Sequence, residues 1–84
     1  MTHAIVLVDA ERNAMLEMGP ALAAVEGVSE VFSVSGEWDF VAIVRVPKTE
    51  RLANVVSQEI GSLPGVTRTH TMVAFESFSA GSSS

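Results

Sequence analysis

Residues Val25–Val46 read VEGVSEVFSVSGEWDFVAIVRV, and the fold follows from how this stretch divides. Phe40 to Val46 is apolar except for Arg45 and rich in β-branched side chains, the composition of a central strand buried on both faces. Pro47 stops it, because proline brings no N–H to a sheet ladder. Upstream, Val28, Glu30, Phe32 and Val34 alternate with Ser29, Val31, Ser33 and Ser35, which predicts a strand over Ser29–Ser35 with one partly polar face. Gly36-Glu37-Trp38-Asp39 lies between the two as a turn, so they form a hairpin.

Working outward, each arm of the hairpin leads to a helix. From Ala14 to Val25 the residues Met15, Met18, Leu22 and Val25 recur at intervals of three and four, one stripe of an amphipathic helix. Pro20 falls opposite that stripe, where its lost hydrogen bond faces water, and Gly27 ends the helix. On the other side Thr49 reads as an N-cap with Glu50 in the first turn, Leu52, Val55, Val56, Ile60 and Leu63 form a second stripe, and Pro64-Gly65 terminates it. The outermost elements are strands, His3 to Val8 and Thr67 to Phe78, the latter alternating Thr69, Thr71, Val73 and Phe75 with Arg68, His70, Met72 and Ala74. SAGSSS then reads as a flexible tail over 79–84, leaving 1–78 as a single domain.

VEGVSEVFSV at the exit of the first helix resembles LPGVTRTHTM at the exit of the second, so the chain is two strand-helix-strand units joined by the hairpin. Such a β-α-β-β-α-β order gives an α+β, ferredoxin-like domain, a four-stranded antiparallel sheet with two helices on one face. The helices cover one face only, yet IVLV and FVAIVRV offer apolar side chains to both. The open face is therefore expected to pair with a second copy, making a dimeric α+β barrel and, through further contacts, a higher homo-oligomer.

Composition narrows the function. A chain of 84 residues hides little more than ~60% of its unfolded surface when it folds alone, while 48% of this one is hydrophobic. Cysteine is absent, which removes disulfides and thiolate chemistry. Ten acidic residues stand against five scattered basic ones, so no grouped cations are available for a nucleic-acid backbone. MTHAIVLVDAER carries neither a basic leader nor a membrane-length apolar run, and a soluble, cytoplasmic protein is the expectation.

The succession GVSEVFSVSGEWDF, a buried strand, a second helix and then PGVTRTHTMVAF closely resembles the effector-binding (RAM) domain of the Lrp/AsnC family of amino-acid-responsive bacterial regulators, over roughly Thr2 to Phe78. Members of that family begin with a helix-turn-helix domain; this chain opens directly on the first strand of the sensor and so resembles a stand-alone form. Where the family more often has tyrosine or phenylalanine in the turn, this chain has Trp38.

The resemblance implies an amino acid or similar small metabolite bound between subunits, against the turn and the T-x-T strand. The candidate ligand-binding residues are Gly36, Glu37, Trp38, Asp39, Thr69 and Thr71. Asp39 suits an ammonium and the turn's N–H groups suit a carboxylate, with Gly36 permitting close approach. The residues by themselves leave plainer roles open: Asp39 as an acceptor within its own turn, Trp38 as an interface residue, Thr69 and Thr71 as good strand formers.

No catalytic constellation is present, no cofactor is implied, and His3 and His70 belong to no set with metal-ligand spacing. The expected function is an oligomeric regulatory domain, not an enzyme, that senses an effector at inter-subunit sites and modulates Lrp/AsnC-type regulators. Two alternatives share the topology: a small dimeric α+β-barrel enzyme of the cofactor-free monooxygenase type, and a ligand-free interaction module for full-length regulators.

Overall fold

The computed structural model describes residues 1–78 and Ala80; the rest of the tail expected over 79–84 lies outside the described residues. Strand β1 (Thr2–Ala10) leads through a single 3-10 turn at Arg12–Ala14 into helix α1 (Met15–Ala23). The hairpin follows as β2 (Val28–Ser33) and β3 (Phe40–Val46). Helix α2 (Thr49–Asn54) continues as a wider π-helical segment, Val55–Ile60, before β4 (Val66–Val73). The strands lie in the order β2-β3-β1-β4, all antiparallel. This is the α+β, ferredoxin-like arrangement.

One face of the sheet makes the core. Ala4, Val6 and Val8 of β1 and Phe40, Ala42, Val44 and Val46 of β3 are buried with Met18 and Leu22 of α1, and with Leu52, Val55 and Ile60 of the second helical stretch. Among the described residues no polar or charged side chain is buried in it. The cross-strand register puts Val8 opposite Phe40, Val6 opposite Ala42 and Ala4 opposite Val44, so the buried sets of the two central strands coincide.

The intervening residues point the other way. Ile5, Leu7, Val41, Ile43, Phe32 and Met72 share the uncovered face, and Ile5, Phe32 and Met72 are exposed. The central strands read as buried on both sides are thus covered on one side within a single chain, which is where an apolar surplus was expected.

Local departures from the expected pattern have identifiable causes. Between Val28 and Glu30 two residues of β2 oppose one step of β3, a β-bulge at Ser29, whose hydroxyl donates to the Ile43 carbonyl (3.2 Å). The bulge breaks the predicted alternation, so Val28 and Val31 both pack against the core. Strand β4 ends at Val73, opposite Ala4, with the Ala74 N–H still donating to the His3 carbonyl (2.9 Å); it does not extend to Phe78, because in this register Met1 falls opposite Glu76 and β1 offers Phe78 no partner. Lys48, not Thr49, occupies the N-cap of α2, while the Thr49 hydroxyl lies 3.1 Å from that of Thr2. Met15, expected in the core stripe of α1, is exposed; Pro20 lies on the exposed side of that helix as its position predicts.

Candidate functional site

The β1 end that meets α1 also meets the hairpin turn. The Asp39 N–H donates to the Val8 carbonyl (3.1 Å) and to Asp9 Oδ1 (3.2 Å), while the Ala10 N–H donates to Asp39 Oδ2 (3.0 Å). These crossed bonds occur where the β1–β4 register shifts at Asp9 and Ala10. A bulge turns backbone groups out of the ladder, and here the carboxylate of Asp39 satisfies one of them. Asp39 is half-buried, and among the described residues its second oxygen, Oδ1, accepts no hydrogen bond.

Arg68 of β4 sits directly across from Asp9. Its Nε and Nη2 lie 2.9 and 2.8 Å from Asp9 Oδ2, and Nη2 is 3.7 Å from Glu37 Oε2. The guanidinium also covers the Trp38 ring at 4.1 Å from its centroid, and the His70 ring lies 6.2 Å from that indole at 41°. Such a cation–π contact contributes ~0.5–1 kcal/mol at an exposed site, and an exposed ion pair up to about 1 kcal/mol. Together they tie the turn to β1 and β4 through the chain Trp38–Arg68–Asp9–Asp39.

Of the sequence-predicted residues, Glu37, Trp38 and Asp39 are brought together with Arg68. Gly36 holds the tip of the turn with φ +108°. Thr69 and Thr71 lie elsewhere. They are opposite Val8 and Val6, which puts them on the helix-covered face, whereas Arg68 and His70 flank Trp38 on the open face. Within one protomer the threonine pair and Trp38 therefore do not share a surface. His3 is opposite Arg45 and His70 opposite Leu7, four positions apart along β1, and no group of three metal-ligating side chains converges among the described residues.

Beside Asp39 opens a groove of about 450 Å³ walled by Ala10, Arg12, Met15 and Asp39. Sequence reasoning did not single out Asp9, Arg12 or Arg68. Asp9 and Arg68 are 59 positions apart, and only the β1–β4 register joins them. Arg12 was visible as an isolated cation just after the first strand, but nothing local connected it to the turn.

The protein-family comparison matches residues 3–83 to the Lrp/AsnC ligand binding domain. The chain belongs to the Lrp/AsnC family. Among curated members it is 34% identical over 73 residues to the HTH-type transcriptional regulator FL11 of Pyrococcus horikoshii, covering 87% of this chain and 48% of that one. The curated relatives it matches are longer, and it spans 39% to 48% of their length. A solved Thermus thermophilus protein, TTHA0845, superimposes with a TM-score of 0.88 at 42% identity, covering 95% of this chain and 100% of that one. The feast or famine regulatory protein of Mycobacterium tuberculosis, solved in complex with L-methionine, gives a TM-score of 0.80 at 22% identity over 100% of this chain and 56% of its own, a likeness of fold. The relatives named here as regulators of transcription agree with a regulatory ligand-binding domain, and no helix among the described residues is long and apolar enough to cross a membrane.

Proposed function

We propose that this Lrp/AsnC-family domain is a non-enzymatic cytoplasmic sensor that binds a free amino acid at Asp39 and reports it through its state of assembly. The observation that carries the reading is a half-buried carboxylate fixed through one oxygen by the Ala10 N–H and uncommitted at the other, at the edge of a groove. A carboxylate so held suits an ammonium, because its orientation is set before the ligand arrives. The methionine bound to the mycobacterial neighbour supports an amino acid as the class of ligand.

Assembly enters through two features. The open face carries Ile5, Leu7, Val41, Ile43, Phe32 and Met72, and a second copy laid against it would bury them as a face-to-face dimer. Thr69 and Thr71 face away from Trp38, so a site that includes both the turn residues Gly36 to Asp39 and the threonine pair takes them from different subunits of a larger homo-oligomer. A ligand bridging them favours the assembled state by its differential affinity, and full-length regulators of the family become the partners that read the change. The test is thermal shift and light scattering of the chain with each of the twenty amino acids. At least one is expected to raise Tm and alter the mass distribution; indifference to all twenty refutes sensing.

A further inference from the structure

We infer that residues 74–78 form an arm that crosses to a second copy and adds to its β2 edge, with Phe75 and Phe78 as the anchors. This rests on the face-to-face pairing proposed above and goes beyond it by naming the segment and the edge that meet.

Three observations converge on it. First, the arm is unused by its own chain. Past the Ala74 N–H, residues 75–78 make no backbone hydrogen bond among the described residues, and Phe75 and Phe78 are 96% and 87% exposed. Three positions apart, the two rings point to opposite faces of any strand the arm forms, so a flat surface covers only one of them. A sheet edge that lies between two layers covers both.

Second, β2 is such an edge. The order β2-β3-β1-β4 leaves β2 and β4 outermost, and β1 and β3 separate the arm from β2 of its own sheet. At this edge β2 presents Phe32 and leads into Val34, both exposed, while α1 packs on its other side and carries Leu16 at 93% exposure. The Ser29 bulge disturbs only the start of β2; Glu30, Val31, Phe32 and Ser33 pair regularly with β3, which leaves their outer side open to a further strand. Two sheets laid face to face keep their edges open, and a barrel removes them only where an edge of one copy meets an edge of the other.

Third, the area is commensurate. A buried phenylalanine contributes ~150–250 Å², so two reciprocal arms bury about 600–1,000 Å² of aromatic side chain. A stable interface buries ~1,200–2,000 Å² in all, and the open sheet face supplies the remainder.

The test uses the absence of cysteine from the chain. Glu76→Cys is mixed with Glu30→Cys or with Ser33→Cys, all three at exposed positions, and treated with a short bismaleimide. With one thiol per chain every cross-link is between copies, and a size tag on one variant identifies the mixed dimer. A mixed covalent dimer is expected with at least one of the two β2 positions. In sedimentation velocity, Phe75→Ser/Phe78→Ser should raise the dimer Kd by ~30-fold or more, the effect of losing an interface hot spot. Its circular dichroism should be unchanged, because neither ring belongs to the core. An unaltered Kd, or no mixed cross-link at either position in a chain that does dimerise, overturns the arm and leaves face-to-face pairing standing. Wild type sedimenting as a single chain refutes both.

Discussion

Gly65 provides a way to separate backbone strain from packing. It has φ +94°, and its carbonyl accepts from the Glu11 N–H at 2.8 Å, so its position is pinned from the β1 side. A β-carbon placed there would lie 2.4 Å from the β-carbon of Ala14 and 3.4 Å from Met18 Cε. Comfortable carbon–carbon separations are ~3.5–4.0 Å, and because the nearer atom is a β-carbon, relief requires the backbone at Ala14 to move. Gly36 has a similar φ of +108° but nothing within 4 Å of an added β-carbon. Gly36→Ala should therefore cost only the left-handed strain, ~1–2 kcal/mol. Gly65→Ala adds overpacking of ~1–3 kcal/mol, for a total of roughly 2–5 kcal/mol. The assay is urea unfolding by circular dichroism at one fixed protomer concentration, since an oligomer's stability depends on it. In heating scans the larger loss corresponds to a Tm lower by about 8 °C or more for a domain of this size. Ala14→Gly in the Gly65→Ala background should restore the packing share while leaving the strain. Equal costs for Gly65→Ala and Gly36→Ala, or no rescue by Ala14→Gly, would refute the reasoning.

Three further outcomes are expected. Ile43→Asp puts a charge at the middle of the open face, and light scattering should report single chains at micromolar concentration with the circular dichroism spectrum retained; wild type already running as a single chain would contradict face-to-face pairing. Arg68→Ala should cost no more than ~1–2 kcal/mol, but it uncovers Trp38, the sole tryptophan, so its fluorescence should become more accessible to acrylamide. Unchanged quenching would mean that the guanidinium does not cover the indole in solution. Asp39→Ala removes the acceptor for the Ala10 N–H, with an expected loss of ~1–3 kcal/mol together with amino-acid binding; retained affinity would remove Asp39 from the site.

Most of the architecture was legible because the hydrophobic periods are clean. The continuous apolar run of Phe40–Val46 marks the central strand, though only its Phe40, Ala42, Val44 and Val46 are buried within one chain, and the spacing of Met18 and Leu22 marks the buried side of α1, though Met15 of the same stripe is exposed. What escaped the pattern depends on distant partners. The register of β4 against β1 leaves Phe78 without a partner, so the apolar alternation that continues past Val73 overstates the strand. The bulge at Ser29 is decided by the neighbouring strand, and no local residue signals it. The π-helical segment left a faint trace, since Val55 and Ile60, both buried, are five apart, a spacing that an i→i+5 ladder stacks and an α-helix does not.

The site was legible in part. A Gly-x-Trp-Asp turn before a buried strand marks exposed backbone and a fixed carboxylate, and Asp39 does take up a bond from outside its own turn. The accompanying charges are long-range: Asp9 reaches the turn through 30 positions of sequence and Arg68 reaches Asp9 through 59. Thr69 and Thr71 share a face, as their spacing requires, but which face was fixed by the pairing of β4 with β1.

Strand β1 runs through the interior of the sheet with its first residue at one end of the molecule and Ala10, beside Asp39, at the other. Nine residues of strand separate those ends by roughly 26 Å. A fluorescent reporter, surface tether or foreign domain spliced ahead of Met1 would hang from the pole remote from the groove, leaving its mouth unobstructed for immobilised titrations or a metabolite biosensor.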